Sequence, residues 1–177
     1  MPITITEALA EIPTIEKRIT KKQEFITNYL FRVSSTRDPH EKDGGSAELI
    51  WRELQAIGDL QIRLVNIRAA IQAANVANTI TVNGTTDTIA NWLVWRREIA
   101  PKAQTFYASL TGRINQLRQA ATRQGVAVKE ADAGVTNDYI VNLNEKELAK
   151  AIEDMETVLG MLDGQLSPKN ATIKLDI

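Results

Sequence analysis

There is no cysteine in this chain, and only one histidine, His40. The first absence excludes disulfides, thiolate metal sites and cysteine nucleophiles together. The second excludes multi-histidine metal sites and removes the usual proton carrier near neutral pH. An excess of charge of one sign is also missing, since 21 basic residues stand against 22 acidic ones. Nucleic-acid binders draw affinity from neutralised phosphates and carry a basic excess, so the balance argues against RNA or DNA as a partner. No apolar run is long enough to read as a bilayer span, so no membrane is expected. The opening Pro2–Glu7 shows neither a basic n-region nor an apolar h-region and does not read as a secretory signal. Aromatic residues are scarce, at 5%.

What remains is the composition of an ordinary folded protein: 177 residues, 44% hydrophobic and 24% charged. That length suits one domain spanning 1–177 with a real core. Four helical patterns are legible. The first runs over about 6–33, where Ile12, Ile15, Ile19, Ile26, Tyr29 and Val33 keep a-and-d spacing, broken only by Lys22. Thr4 and Glu7 match a capping box at its start, with Thr6 as the alternative N-cap, and Pro13 predicts either a first-turn position or a kink. Ser34 to Gly45 has no periodicity and many turn formers, as a loop between antiparallel helices would. Ser46 is a natural N-cap for the second helix, over about 46–75, with Ile50, Ile57, Leu60, Leu64, Ile67, Ile71 and Ala74 on one seam. Gly58 inside it costs about 1 kcal/mol relative to alanine, and a close helix–helix approach is one explanation for it.

Thr79–Val82 alternates in the strand manner and Asn83-Gly84 is a strong tight-turn signal, which together predict a β hairpin tip. The third helix spans about 87–124, with Thr86 or Asp87 as its cap and Ile89, Trp92, Ile99, Phe106, Leu110, Leu117 and Ala121 as its stripe. Gly125 is its stop, and Pro101 predicts a kink or break near Ile99. Val126 to Asn144, with Asp132, Gly134 and Asn137, reads as a loop containing one extended piece at Tyr139–Val141. Asn144 and Glu147 form an Asn-led capping box for the fourth helix, over about 145–166. Its seam is Leu148, Ile152, Met155, Leu159, Leu162 and Leu166, and Pro168 is expected to end it. A terminal strand comes last, at about 172–177. The fold class is therefore mainly α: long antiparallel helices in a coiled-coil-like bundle, with short β segments at the hairpin tip and the chain ends.

Few residues suggest chemistry. Glu147, Glu153, Asp154 and Glu156 crowd the fourth helix but fall off its seam, and no Glu-x-x-His pair joins them as a di-iron bundle requires. His40 lies beside Asp38, Glu41 and Asp43, yet their order does not match an EF-hand loop. Gly44-Gly45-Ser46 opens a helix without the remaining residues of a phosphate loop. Arg63, Arg68, Arg96, Arg97, Arg113, Arg118 and Arg123 tint the central helices basic, with acidic residues on neighbouring helices as the ordinary explanation. Asn83-Gly84-Thr85 and Asn170-Ala171-Thr172 match the glycosylation pattern by chance. No catalytic residue, metal site or cofactor is expected. The interface candidates are Trp51 and Trp95, which fall beside the seams, and Ile3, Ile5, Ile173, Leu175 and Ile177, which alternate at the chain ends. A terminal strand needs a partner, either elsewhere in the chain or in another subunit.

Three short stretches carry a family resemblance: Glu7-Ala8-Leu9 opening the first helix, Asn75 and Asn78 leading to Asn83-Gly84-Thr85, and Leu162-Asp163 with the later Asn170-Ala171-Thr172. In this order they resemble the septicolysin-labelled family of bacterial and integron-cassette helical proteins, which has no established activity. The chain departs from that pattern at Pro13, at Pro101 and in the end at Ile177. The resemblance implies a helical fold and oligomerisation and carries no catalytic residue across. The expected function is thus a non-enzymatic structural protein that self-associates. A phage virion component, capsid-decorating or tail-associated, is the favoured form, and a bacterial helical adaptor in the cytoplasm is the alternative.

Overall fold

A computed structural model describes residues 2–130 and 138–177 of the chain. Strand β1 (Ile3–Thr4) leads directly into helix α1 (Ile5–Tyr29), and α2 (Ser46–Ala77) comes after a loop with a single 3-10 turn at Glu41–Asp43. The hairpin β2 (Thr79–Val82) and β3 (Thr85–Thr88) leads into α3 (Ile89–Val94), a π-helical turn (Trp95–Ile99) and α4 (Ala100–Gln124). Strands β4 (Val128–Glu130) and β5 (Tyr139–Val141), then α5 (Glu145–Thr172) and β6 (Lys174–Leu175), complete the order. The fold is mainly α, with four long helical runs and a few short strands. Asp132, Gly134 and Asn137 of the expected loop lie outside the described residues.

The contacts gather into two compact units, Met1–Ala77 with Ser167–Ile177, and Asn78–Leu166. The first is built on the α1–α2 pair. Thr4 caps α1 as expected: its hydroxyl accepts from the Glu7 N–H at 3.2 Å, while Glu7 Oε2 accepts from the Thr4 N–H at 2.7 Å. Ile5, Ala8, Ile15 and Ile67 are buried together, with Ile12, Ile19, Leu60, Leu64 and Ile71 packed around them. Lys22, the one break in the α1 seam, reaches Glu53 on α2 at 2.6 Å. Pro13 sits inside α1, and the helix runs past it to Tyr29. It stops there, short of the expected 33, because the chain folds back so that His40 packs on Tyr29 and Phe25, with ring centroids 4.6 and 5.4 Å apart.

The two chain ends pair with each other. β1 and β6 are antiparallel, Ile3 opposite Leu175 and Thr4 opposite Lys174, and the Ile5 N–H donates to the Ile173 carbonyl at 3.1 Å. Ile5 and Leu175 lie inside the core, and Ile3, Ile173 and Ile177 pack against it. Helix α5 does not end before Pro168 but continues to Thr172, where the Ile173 N–H still bonds to the Lys169 carbonyl. A proline inside a helix costs about 3 kcal/mol. Just beyond it the chain is held by the β1–β6 pairing, Ile3 opposite Leu175 and Thr4 opposite Lys174.

In the second unit, β2 and β3 form the expected hairpin, and Asn83 and Gly84 both take positive φ, 48° and 78°, as a type I′ turn requires. Pro101 does not break the helix. A normal α turn would press its ring on the Arg97 carbonyl, and the chain instead widens into the π turn over Trp95–Ile99. That turn takes up an extra residue, and the buried face just after it differs from the expected stripe at two positions. Ile99 and Phe106, expected on the buried stripe, are 51% and 57% exposed. Ala100 is buried in place of Ile99, Tyr107 is half-buried in place of Phe106, and Ile114 joins Ala121 in the interior. Gly125, at φ 66°, closes α4. Asn144 Oδ1 accepts from the Lys146 and Glu147 N–H groups and so caps α5.

Candidate assembly surface

Helix α2 is apolar on two faces. The inner seam meets α1 and is flanked by ion pairs: Arg63 donates through two nitrogens to the Glu11 carboxylate at 3.0 and 3.1 Å, and Arg68 meets Glu16 at 2.9 Å. The double hydrogen bond from Arg63 lowers the Glu11 pKa and raises that of Arg63. The second face points away from α1. Trp51, Leu54, Gly58, Ile62, Val65, Ala69, Gln72 and Val76 recur at steps of three and four, so on an α-helix they fall within a strip about 80° wide and about 37 Å long. Trp51, Leu54, Ile62, Val65 and Val76 are 73%, 42%, 62%, 64% and 63% exposed.

The charge pattern sets this face apart from an ordinary solvated helix. From Leu60 to Ala77 the only charged residues of α2 are Arg63 and Arg68, and both are bonded to α1. The outer face of that stretch therefore carries alanine, valine, isoleucine and amides and no charge. Charged residues are also depleted in the cores of protein interfaces. Gly58 sits in the middle of the strip, and a Cβ built on it would meet no atom within 4 Å. Among the described residues, no close approach of the kind expected meets Gly58. Around it Gln61, Ile62, Val65 and Asn66 line a shallow depression of about 370 Å³, formed by α2 alone.

At the loop end of the hairpin the strip opens into a wider groove of about 740 Å³, where Leu30, Phe31, Pro39, Ile50, Trp51 and Leu54 contribute the apolar lining. Phe31 is 85% exposed there. The loop beside it is held by Asp38, whose carboxylate accepts from Ser46 Oγ at 2.6 Å, from the Ser46 N–H at 2.9 Å and from the His40 N–H at 2.9 Å. The Ser46 hydroxyl and then the two N–H groups hold the Asp38 pKa down from 3.8 to about 2. Ser46, the expected N-cap of α2, is instead its first helical residue, and Asp38 takes the capping role. The helix start offers no open anion site either, because the Glu48 carboxylate folds over Gly44 and Asp38 occupies the Ser46 N–H.

The other candidates resolve simply. Trp51 lies on the outer strip, whereas Trp95 is half-buried in the π turn, edge-on to Trp92 at 5.9 Å. Ile5 and Leu175 are buried in the first unit's own core, and Ile3, Ile173 and Ile177 are half-buried against it. Glu147, Glu153, Asp154 and Glu156 are exposed, and among the described residues no group of three or more acidic, histidine or cysteine side chains is placed to hold a metal ion. Arg63, Arg68, Arg96, Arg97 and Arg118 each face a carboxylate. The outer strip is not among the features read from the sequence, although Trp51, Leu54, Ile62, Val65 and Val76 show its spacing.

No family model matches the chain, and no curated protein resembles it. The fold has a relative. A crystal structure of a functionally unknown conserved protein from Corynebacterium diphtheriae aligns over 99% of this chain and 100% of that one, with a TM-score of 0.56 and 18% identity. At that identity the likeness concerns the architecture alone. Among the described residues no helix is long and apolar enough to cross a membrane.

Proposed function

We propose that this protein is a non-enzymatic assembly protein that self-associates through the outer face of α2. One observation carries the reading: a continuous exposed strip, free of charge over its second half, on a helix whose opposite face is already packed. Leaving such a strip in water forfeits the transfer free energy of its apolar area, which is recovered only when a second surface covers it. The oligomerisation implied by the septicolysin-like pattern agrees with this. A building block of a phage particle is the favoured form of assembly protein, and a bacterial helical adaptor is the second form.

The test is the mass of the purified chain in solution, by light scattering after size exclusion over a concentration series from one to several hundred micromolar. A defined oligomer or a larger closed assembly supports self-association, and growth to a large particle favours the virion form. A monomer across the whole series rules self-association out.

A further inference from the structure

Resting on that reading, we infer that the partner of the α2 strip is the same strip of a second copy, laid antiparallel about a two-fold axis level with the midpoint between Ile62 and Val65. The spacing of the strip is close to palindromic about that point. Antiparallel packing sets Ile62 level with Val65 of the second copy, Gly58 with Ala69 of the second copy, Leu54 with Ala73 of the second copy, and Trp51 with Val76 of the second copy. Large residues at the start of the helix thereby meet small ones at its end, as close packing requires. The Gly58–Ala69 layer lets the two backbones approach, which gives Gly58 the neighbour it lacks among the described residues.

An in-register parallel pair has none of these properties. It would stack Trp51 on Trp51 and leave Ala69 facing Ala69, giving a contact too wide at one end and too open at the other. Charge points the same way. Glu48, Arg52 and Asp59 flank the strip in its first half, and its second half has no charge that α1 does not already hold. Antiparallel packing sets the charged flank of each copy against the neutral Asn66, Ala70, Ala73 and Ala77 flank of the other, whereas parallel packing brings like charges level. The helix dipoles also oppose one another in the antiparallel arrangement.

The area is sufficient. At these exposures, side chains of this size leave roughly 500 Å² of apolar surface in one strip, near the upper end of the largest patch on a typical monomer. Two copies then bury roughly 1,000 Å² from these residues alone, the threshold for a specific interface, before Gln55, Gln61 and Gln72 are counted.

The lack of native cysteine makes the geometry directly measurable. Leu54→Cys and Ala73→Cys are made separately, both at exposed positions that leave the core untouched. Each variant alone, and an equimolar mixture, is treated with a short bismaleimide, and cross-linked dimer is read on a denaturing gel. Antiparallel pairing predicts at least a tenfold higher dimer yield in the mixture than in either variant alone, since like positions lie roughly 28 Å apart along the axis. Cross-linking of each variant with itself means parallel packing and overturns the inference. No cross-linking in a chain that light scattering shows to be oligomeric means another face is used; it overturns the inference and the assignment of assembly to α2, and leaves self-association alone standing. A chain that is monomeric and uncross-linked removes both.

Discussion

Ile62 and Ile67 lie on the same helix, five residues apart, and truncating each to alanine should have opposite consequences. Ile67 is fully buried among Ile5, Ala8, Ile15 and Leu175. Ile67→Ala removes three carbons from that site, about 2.4 kcal/mol of transfer free energy. It also leaves a cavity that two helices and a strand pair cannot close, which adds roughly 1 kcal/mol more. Alanine returns up to about 0.7 kcal/mol through its better helix propensity, so the net loss is about 3 kcal/mol. In a chain of this length that lowers the melting temperature by roughly 6–12 °C. Ile62 is 62% exposed, so its truncation should move the stability of the isolated chain by less than about 0.5 kcal/mol, while weakening the oligomer. The assay is urea unfolding by circular dichroism at low micromolar concentration, repeated tenfold higher so that stabilisation by association is visible as a concentration dependence. Equal losses in the two variants, or a loss below about 1 kcal/mol for Ile67→Ala, would refute the assignment of inner and outer faces.

Three further outcomes rest on the same geometry. Gly58→Ala relieves a glycine inside a helix with open space at its Cβ, so thermal melting of dilute protein should show a gain of about 0.5–1 kcal/mol. The same variant should dissociate more readily in sedimentation, because its methyl enters the contact. Asp38 has a folded pKa of about 2, below its ordinary 3.8, so its contribution to stability is complete above about pH 4 and is lost as pH falls toward 2. Glu7 and Glu11 are lowered too and act in the same direction. The urea midpoint of Asp38→Asn should therefore fall less steeply over that window than the wild type's, and an unchanged slope would contradict the capping role. Leu175→Asp places a carboxylate in the core at a position 3% exposed and should cost more than about 3 kcal/mol. Hydrogen exchange should show the Ile5 N–H, which bonds to the Ile173 carbonyl, losing its protection.

Local chemistry is legible at several helix ends and turns, although the caps of α2 and α3 fall on Asp38 and Thr88 rather than on Ser46 and on Thr86 or Asp87. The Thr4–Glu7 capping box, the Asn83-Gly84 turn, the Gly125 stop and the Asn144 cap each depend on a few adjacent residues, and all four occur as read. Features that depend on distant residues are not legible in the same way. Alternation at Ile173, Leu175 and Ile177 announces a strand but not its partner, which lies at the opposite end of the chain. Prolines mark stress without saying how it is relieved. At Pro101 the relief is a π turn, after which Ile99 and Phe106 lie off the buried face, and at Pro168 the helix continues to Thr172, next to the paired β6. The outer strip of α2 is hidden for a third reason. Once Ile50, Ile57, Leu60, Leu64 and Ile67 are assigned to a seam, Trp51 stands out alone, and its periodic relation to Leu54, Ile62, Val65 and Val76 is masked. Only the position of α1 shows that these residues are left over.

The most direct test of the central claim compares the wild-type chain with Ile62→Glu/Val65→Glu by sedimentation velocity at matched concentration, with circular dichroism to confirm that both are folded. The account predicts an oligomer for the wild type and a folded monomer of unchanged stability for the variant, since both positions are exposed and touch no part of the core. An oligomer that survives both charges, or a wild type that is already monomeric, would contradict the claim that the outer face of α2 is where this protein assembles.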